Sequence, residues 1–139
     1  MVEEIQQVLT ATDVVSALDD EGNQAVRSLF MRLAEPEFEV VMLGPGYSSA
    51  RREEVGLDGF VEAWRDWTGA FKSFRIEVEE MIDAGDNVVS LVRQTGVPKG
   101  ADAEIETPGA AVWMIRDGRV RRVEFHLDRD AALRAAGLL

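Results

Sequence analysis

The stretch AVWMIRDGRVRRVEFHLD, residues 111–128, holds two apolar segments on either side of the pair Asp117-Gly118. β-Branched and aromatic residues are frequent in both segments, and an Asp-Gly pair between such segments is a strong signal for a two-residue β-hairpin. Successive side chains of a strand point to opposite faces. The stretch therefore predicts two antiparallel strands, each with one face toward a core.

The segments before and after this hairpin predict the rest of an α+β fold. Further strands are expected at 38–43, 74–82, 87–95 and 103–116. Apolar residues at helical spacing predict helices at 3–18, 24–34, about 58–71 and 129–139, and a glycine-containing loop is expected at 44–56. We therefore predict one domain over residues 1–139, in which a curved antiparallel sheet wraps around three N-terminal helices as a cone-shaped α+β barrel. Such a cone encloses a mostly apolar pocket.

The composition of the 139 residues excludes several classes of function. The formal net charge of −11 disfavours nucleic acid and anionic membranes as partners. The chain has no cysteine and a single histidine, His126, which excludes thiolate and multi-histidine metal sites. We expect no metal and no cofactor. The acidic N-terminus and the lack of a run of roughly 20 apolar residues predict a cytoplasmic protein.

The predicted third helix carries a stripe of aromatic side chains. Phe60, Trp64, Trp67 and Phe71 are spaced 4, 3 and 4 residues apart, as on one helix face. They are expected either to fill the core or to line the pocket, and the same face does both in a cone. A buried indole N–H needs an acceptor, which a ligand, an acidic side chain or a water would supply.

The last strand, VRRVEFHLD, has one apolar and one polar face. Alternation places Val123, Phe125 and Leu127 on the face expected to line the cone. The opposite face carries the polar set Arg122, Glu124, His126 and Asp128. This set is interpreted mainly as a surface or interface ladder, with acid–base chemistry as the alternative.

Three further residues are candidates for the site. Arg93 lies among apolar neighbours and is expected to form a structural ion pair, with Glu77 or Glu79 on the adjacent strand, or to anchor an anionic group. Tyr47 lies in the loop before the aromatic helix, near the expected mouth of the cone. Met114 is a candidate for the pocket lining or for adaptable core packing.

The sequence resembles the SnoaL-like branch of the nuclear transport factor 2-like superfamily from about residue 8 to its end. The resemblance rests on the order and spacing of SALDDEGNQAVRSLF, FEVVM, GLDGFVEAWRDWTGAF, IEVEEMIDAGDNVVSLVR and AVWMIRDGRVRRVEFHLDRDAALRAAGL. It implies the cone-shaped fold and a homodimer that pairs through the outer face of the sheet. The superfamily includes ketosteroid isomerases, polyketide cyclases, limonene epoxide hydrolases, dehydratases and non-catalytic domains, so function has to be argued from the site.

The resemblance also implies where catalytic groups would lie, and these positions lack them. The cyclase and epoxide hydrolase branches carry an aspartate seven residues after the hairpin glycine, where this chain has Phe125. Arg93 matches the arginine of the epoxide hydrolases, but the position of its partner aspartate holds Thr95. The ketosteroid isomerase positions fall near Val14, Val41 and Ala111-Val112. A phenyl ring cannot transfer a proton, so no general acid–base set of the family is retained.

The sequence therefore predicts a domain that binds a small apolar molecule in the cone. One alternative is an isomerase, cyclase or hydrolase for a polycyclic or terpenoid-like substrate, with a non-standard acid–base site drawn from Arg93, Glu124, His126 or Asp128. Another is a structural or partner-binding dimer whose cone is filled.

Overall fold

A computed structural model describes Glu3, Ile5, Ser28 and residues 31–43 and 51–139. The described positions up to Leu33 are helical, and the rest of the two predicted N-terminal helices lies outside the described residues, as does Tyr47.

Six strands form one sheet. They are β1 (Ala34–Leu43), β2 (Arg51–Val55), β3 (Phe71–Asp83), β4 (Asn87–Pro98), β5 (Ile105–Arg116) and β6 (Arg119–His126). Their order across the sheet is β2-β1-β6-β5-β4-β3. Two described helices accompany them, α1 (Gly56–Thr68) and α2 (Arg129–Ala135). The predicted α+β class is confirmed.

The sheet is mixed, which corrects the predicted antiparallel one. β1 runs parallel to β6, whereas all other neighbouring strands are antiparallel. Short turns between consecutive strands fix an antiparallel direction. Because β1 and β6 are far apart in the chain, no turn signal in the sequence reports on the direction of their pairing.

Several predicted boundaries are also wrong. β1 begins at Ala34, which was predicted to be the last residue of a helix and lies four residues before the predicted strand, and α2 ends at Ala135 rather than at residue 139. Arg51–Val55 is the edge strand β2 rather than loop, with alternating exposed and half-buried residues. α1 ends at Thr68, where the Thr68 hydroxyl donates to the Trp64 carbonyl oxygen at 2.8 Å, so Phe71 begins β3. The stripe of four aromatic residues is thus divided between a helix and a strand, and the low helix propensity of Gly69 is consistent with the end of the helix at this point.

Turns and bulges shape the sheet around α1. Asp117 and Gly118 have φ values of 53° and 77°, the conformation of the tight hairpin turn that the sequence predicts. The ladder shifts register between Val78 and Glu80 on β3 and between Met114 and Ile115 on β5. Such bulges bend strands. The apolar inner face of the sheet packs against Phe60, Val61 and Trp64 of α1.

α2 packs on the opposite, outer face, where Ala132 joins an apolar cluster with Val89, Ala110 and Val112. The Asp128 side chain accepts from the backbone N–H groups of Asp130 and Ala131 and so caps the helix. Arg129 donates to the carbonyl oxygens of Val92 and Gly109 and pairs with Glu79. These contacts hold the last helix against β4 and β5.

Candidate ligand-binding site

Phe125 lies at the centre of the inner face of the sheet. Its ring makes edge contacts with Trp64 at 5.0 Å and Trp113 at 6.0 Å between ring centroids, and a tilted contact with Phe60 at 6.0 Å. Phe60 also packs on Phe38 at 6.3 Å. Phe125, which the family resemblance aligns with an aspartate, is therefore the middle of an aromatic cluster that closes one part of the cone.

A small cavity remains beside this cluster. Its volume is about 30 Å³. Its walls are mostly apolar and come from α1, β1 and β3 to β6. Among the residues that border it are Trp64, Trp67, Val92, Gln94, Phe125 and Leu127. A space of this size holds one or two water molecules or a single small functional group, but not a whole ligand. We refer to it as the deep cavity.

A larger cavity opens toward the surface. It has a volume of about 250 Å³ and is bordered by Trp67, Phe71, Phe74, Gln94, Ile105, Thr107 and Leu127. We refer to it as the mouth cavity. Trp67, Gln94 and Leu127 border both cavities. The two spaces are therefore neighbours on either side of these three side chains.

The two buried indoles of the inner face have different hydrogen bonding. Trp113 is fully buried and its Nε1 donates to the Ser90 hydroxyl oxygen at 3.1 Å. Trp64 is 5% exposed, and its buried Nε1 has no hydrogen-bond partner within the described part of the chain. A buried donor without an acceptor costs about 1–3 kcal/mol, so the Trp64 N–H is an unfavourable group in the interior of the described structure.

Gln94 is a polar residue of the site that was not among the candidates predicted from the sequence. It is 7% exposed and pairs in register with Ile76 on β3 and Thr107 on β5. A Cβ atom at Gly109 would lie 2.6 Å from Nε2 of Gln94, so the lack of a side chain at Gly109 makes room for this amide. The alternation of VVSLVRQT could have predicted this position, because it places Val92 and Gln94 on the face opposite to that of Arg93.

Arg93 and Thr95 lie on the outer face instead. Arg93 pairs with Glu77 and lies 3.9 Å from a carboxylate oxygen of Glu106. The hydrogen bond from Arg93 lowers the pKa of Glu77. Arg93 is thus in a structural ion pair, one of the two alternatives considered for it, and it is remote from the cone.

Met114 also lies on the outer face, which corrects its predicted place in the pocket lining. It packs against the cluster of Val89, Ala110 and Val112 under α2 and pairs in register with Arg122. The physical reason is the strict alternation along β5. Because Trp113 points inward, its neighbour Met114 points outward.

The polar face of β6 forms a chain of ion pairs, which we call the outer ladder. Arg122 donates to Glu39 at 2.8 Å and to Glu124 at 2.9 Å, and Nε2 of His126 lies 3.1 Å from the other Glu124 oxygen. Glu124 and His126 are 8% and 7% exposed, so this end of the ladder is buried, whereas Glu39 at the other end is exposed. Hydrogen bonds from His126 and Arg122 lower the pKa of Glu124 despite its burial. An ionised Glu124 accepts, so Nε2 of His126 carries a proton.

The four candidate acid–base groups therefore do not meet at the cone. Arg93 is in the ion pair with Glu77, Glu124 and His126 are in the outer ladder, and Asp128 caps α2. His126 borders the deep cavity, but its Nε2 is bonded to Glu124. Of the predicted pocket residues, Trp64, Trp67, Phe71 and Phe125 border a cavity, and Phe60 packs behind them.

The described residues hold neither a metal site nor a membrane-spanning helix. Residues 31–43 and 51–139, with the three described positions before them, contain no group of three or more side chains that would hold a metal ion. Within the same residues no helix is long and apolar enough to cross a membrane.

Residues 29–123 match the model of the SnoaL-like domain family, and the chain belongs to this family. No curated protein matches it in sequence.

Solved structures share the fold at low sequence identity. A protein from Jannaschia sp. CCS1 assigned as a SnoaL-like polyketide cyclase has a TM-score of 0.65 and 20% identity, over 89% of this chain and 82% of that one. TerC, co-crystallised with polyporic acid, has a TM-score of 0.62 and 19% identity, over 96% and 98%. A protein of ketosteroid isomerase-like fold from Catenulispora acidiphila DSM 44928, in complex with trimethylamine, has a TM-score of 0.60 and 15% identity, over 91% and 93%.

Proposed function

We propose that this chain binds a small, mainly apolar molecule in the cone. The observation that carries the proposal is the mouth cavity of about 250 Å³, which is bordered by aromatic and aliphatic side chains together with Gln94 and Thr107. Ligand sites in proteins are mostly apolar with a few polar groups of this kind. Membership of the SnoaL-like family supports the proposal, since polyporic acid in TerC is a small molecule held by the same fold.

The size of the cavity limits the ligand. An apolar cavity of about 150 Å³ binds benzene. The mouth cavity is larger than this but lies below the usual range of roughly 300–1,000 Å³ for drug-sized ligands. A molecule of one or two rings fits better than the polycyclic substrate considered from the sequence.

The positions of the titratable side chains favour binding without catalysis over an enzymatic function. General acid–base catalysis needs a titratable group within hydrogen-bond reach of the substrate. Arg93, Glu124 and Asp128 border neither cavity and lie in the Arg93–Glu77 pair, in the outer ladder and at the N-cap of α2. His126 borders the deep cavity, but its Nε2 is bonded to Glu124. Phe125 occupies the position that the family resemblance assigns to an aspartate.

The first test is native mass spectrometry of freshly purified protein, followed by denaturation to identify any released compound. It reads the oligomeric state as well, for which a homodimer stays our prediction. A small apolar compound at one copy per chain, or binding of one- and two-ring compounds by calorimetry, supports the proposal.

Two variants of neighbouring residues on β5 locate the bound molecule. Thr107 lines the mouth cavity, whereas Glu106 is exposed and pairs with Thr95 on the outer face. Thr107→Trp is expected to abolish binding because the indole occupies the cavity, and Glu106→Trp is expected to leave it unchanged. The proposal is overturned if both variants bind the compound equally well, or if the wild type binds no compound at all. Either result favours the alternative in which the cone is filled and the protein binds a partner.

A further inference from the structure

Gln94 is a buried polar residue that borders both cavities of the cone. It is 7% exposed, and its side-chain amide forms no hydrogen bond with any described residue. A Cβ atom at Gly109 would lie 2.6 Å from Nε2 of Gln94, so the amide lies directly against the backbone of that glycine. Nearly all buried polar groups in proteins are paired, so an amide beside a cavity without a protein partner calls for a water or a ligand group.

Thr107 places a hydroxyl next to this amide. The two residues pair in register on β4 and β5, and both border the mouth cavity. Residues directly opposite each other in an antiparallel pair have Cβ atoms about 4.5–5.5 Å apart, so one ligand group is able to contact both side chains. The other described residues that border the mouth cavity are aromatic or aliphatic, which makes Gln94 and Thr107 the polar part of its wall.

The chemistry of the Gln94 amide specifies what kind of group it recognises. A primary amide offers a donor and an acceptor side by side in one plane, and exchange of its nitrogen and oxygen leaves this property unchanged. Its complement is a group that also carries a donor next to an acceptor, as when glutamine or asparagine forms two hydrogen bonds with the N6 and N7 atoms of adenine. A ligand group that only accepts leaves the amide oxygen without a donor, and a buried group left unpaired is unfavourable.

The lining of the mouth cavity disfavours an ionised ligand group. None of the described residues that border it is an aspartate, glutamate, histidine, lysine or arginine. An ion placed there would lose its hydration without gaining a counter-charge. The group that pairs with Gln94 is therefore expected to be neutral, as a carboxamide is and a carboxylate is not.

We propose that the ligand is a neutral compound of one or two rings that carries a carboxamide, and that this group pairs with the amide of Gln94 beside Thr107 while the rings lie among the apolar residues of the mouth cavity. This inference rests on the proposed function, since it describes the ligand of the same cavity. Ordered water on the amide is the competing account of its unpaired state.

The test uses a matched pair of probes, 2-naphthamide and 2-acetylnaphthalene, with the wild-type protein. Both have the same two rings and a carbonyl oxygen, and they differ in the NH₂ of the amide and the CH₃ of the ketone. Calorimetry measures the affinities, and ¹H–¹⁵N spectra report the side-chain NH₂ signals of Gln94, which are assigned by their loss in Gln94→Leu. Naphthamide is expected to bind about tenfold more tightly, the effect of one additional buried hydrogen bond, and to shift these signals.

Two variants then assign the preference to one side chain. Gln94→Leu is expected to reduce the preference for naphthamide to less than about twofold, and Thr95→Val, on the outer face, is expected to keep it at about tenfold.

Three results would overturn the carboxamide inference while the proposed function stands. They are equal affinity of the wild type for the two probes, a tenfold preference that persists in Gln94→Leu, and binding of naphthamide that leaves the Gln94 signals of the wild type unmoved. If neither probe nor any other one- or two-ring compound binds, the proposed function fails and this inference fails with it.

Discussion

The two faces of the sheet carry different polar side chains. On the outer face, the ionisable residues Arg122, Glu124 and His126 lie in a continuous chain of hydrogen bonds. On the inner face, the described residues that border the mouth cavity are aromatic or aliphatic apart from the neutral Gln94 and Thr107. Ionisable groups that are paired with one another stabilise the fold, whereas an apolar cavity with a few polar groups is typical of ligand sites. The difference favours a structural role for the polar residues of β6 and supports the proposal that the inner face binds a small molecule.

The largest expected effect comes from the residue that closes the cone. Phe125→Ala removes the ring that contacts Phe60, Trp64 and Trp113, and we expect a loss of about 3 kcal/mol in the free energy of unfolding. Urea denaturation measures it, with Phe125→Leu as a milder control. A loss below about 1 kcal/mol would mean that the aromatic cluster does not hold the inner face together.

The outer ladder is expected to show the next largest effect, on stability alone. Glu124→Ala leaves His126 without its partner and Arg122 with only Glu39, and we expect a loss of about 2 kcal/mol. Binding of one- and two-ring compounds should stay within about twofold of the wild type. A variant that folds normally yet loses binding or an activity would contradict the structural assignment of the ladder.

Two adjacent residues on β4 contrast the faces directly. Gln94 faces the cavities, and Thr95 lies on the outer face, where its buried hydroxyl has no partner among the described residues. Gln94→Leu is expected to change stability by less than about 1 kcal/mol but to weaken ligand binding by about tenfold. Thr95→Val is expected to stabilise the protein by up to about 1 kcal/mol, because it removes an unpaired buried group, and to leave binding unchanged. Calorimetry measures the ligand affinity of each variant, and urea denaturation measures its stability. Weaker binding by Thr95→Val together with unchanged binding by Gln94→Leu would contradict the assignment of the ligand to the inner face.

The smallest expected effect is the pH dependence of the ladder. Because the pKa of Glu124 is lowered in the folded protein, its stabilisation is present above the ordinary glutamate pKa of about 4.3 and is lost as the pH falls through the lowered native value. The difference in unfolding free energy between the wild type and Glu124→Gln should therefore be constant from pH 7 to about pH 5 and shrink in stronger acid. A difference that stays constant down to pH 3 would show that Glu124 is not held as an anion.

Local patterns in the sequence predicted most of the sheet and much less of the site. The Asp117-Gly118 hairpin and the inward side of Phe125 follow from turn chemistry and alternation over a few residues. The parallel pairing of β1 with β6 and the edge strand β2 depend on contacts between distant segments, on which local propensity does not report.

Individual residues of the candidate site also depend on contacts between distant segments, which a single sequence does not show. Arg93 was a candidate from the sequence because its side chain is charged. The structure shows that the neutral Gln94 next to it is the residue that faces the cone. The room for its amide comes from Gly109 on the neighbouring strand, and a single sequence does not show which glycine lies opposite which side chain. The unpaired state of the Trp64 N–H depends likewise on the three-dimensional arrangement, although the need for an acceptor was evident from the residue type.

The most direct test of the central claim is a crystal structure of the wild-type protein with the one- or two-ring compound that binds most tightly by calorimetry. We predict that its ring body lies in the mouth cavity among Trp67, Phe71 and Leu127. An empty mouth cavity, or a ligand held at the outer ladder by Glu124 and His126, would contradict the proposal.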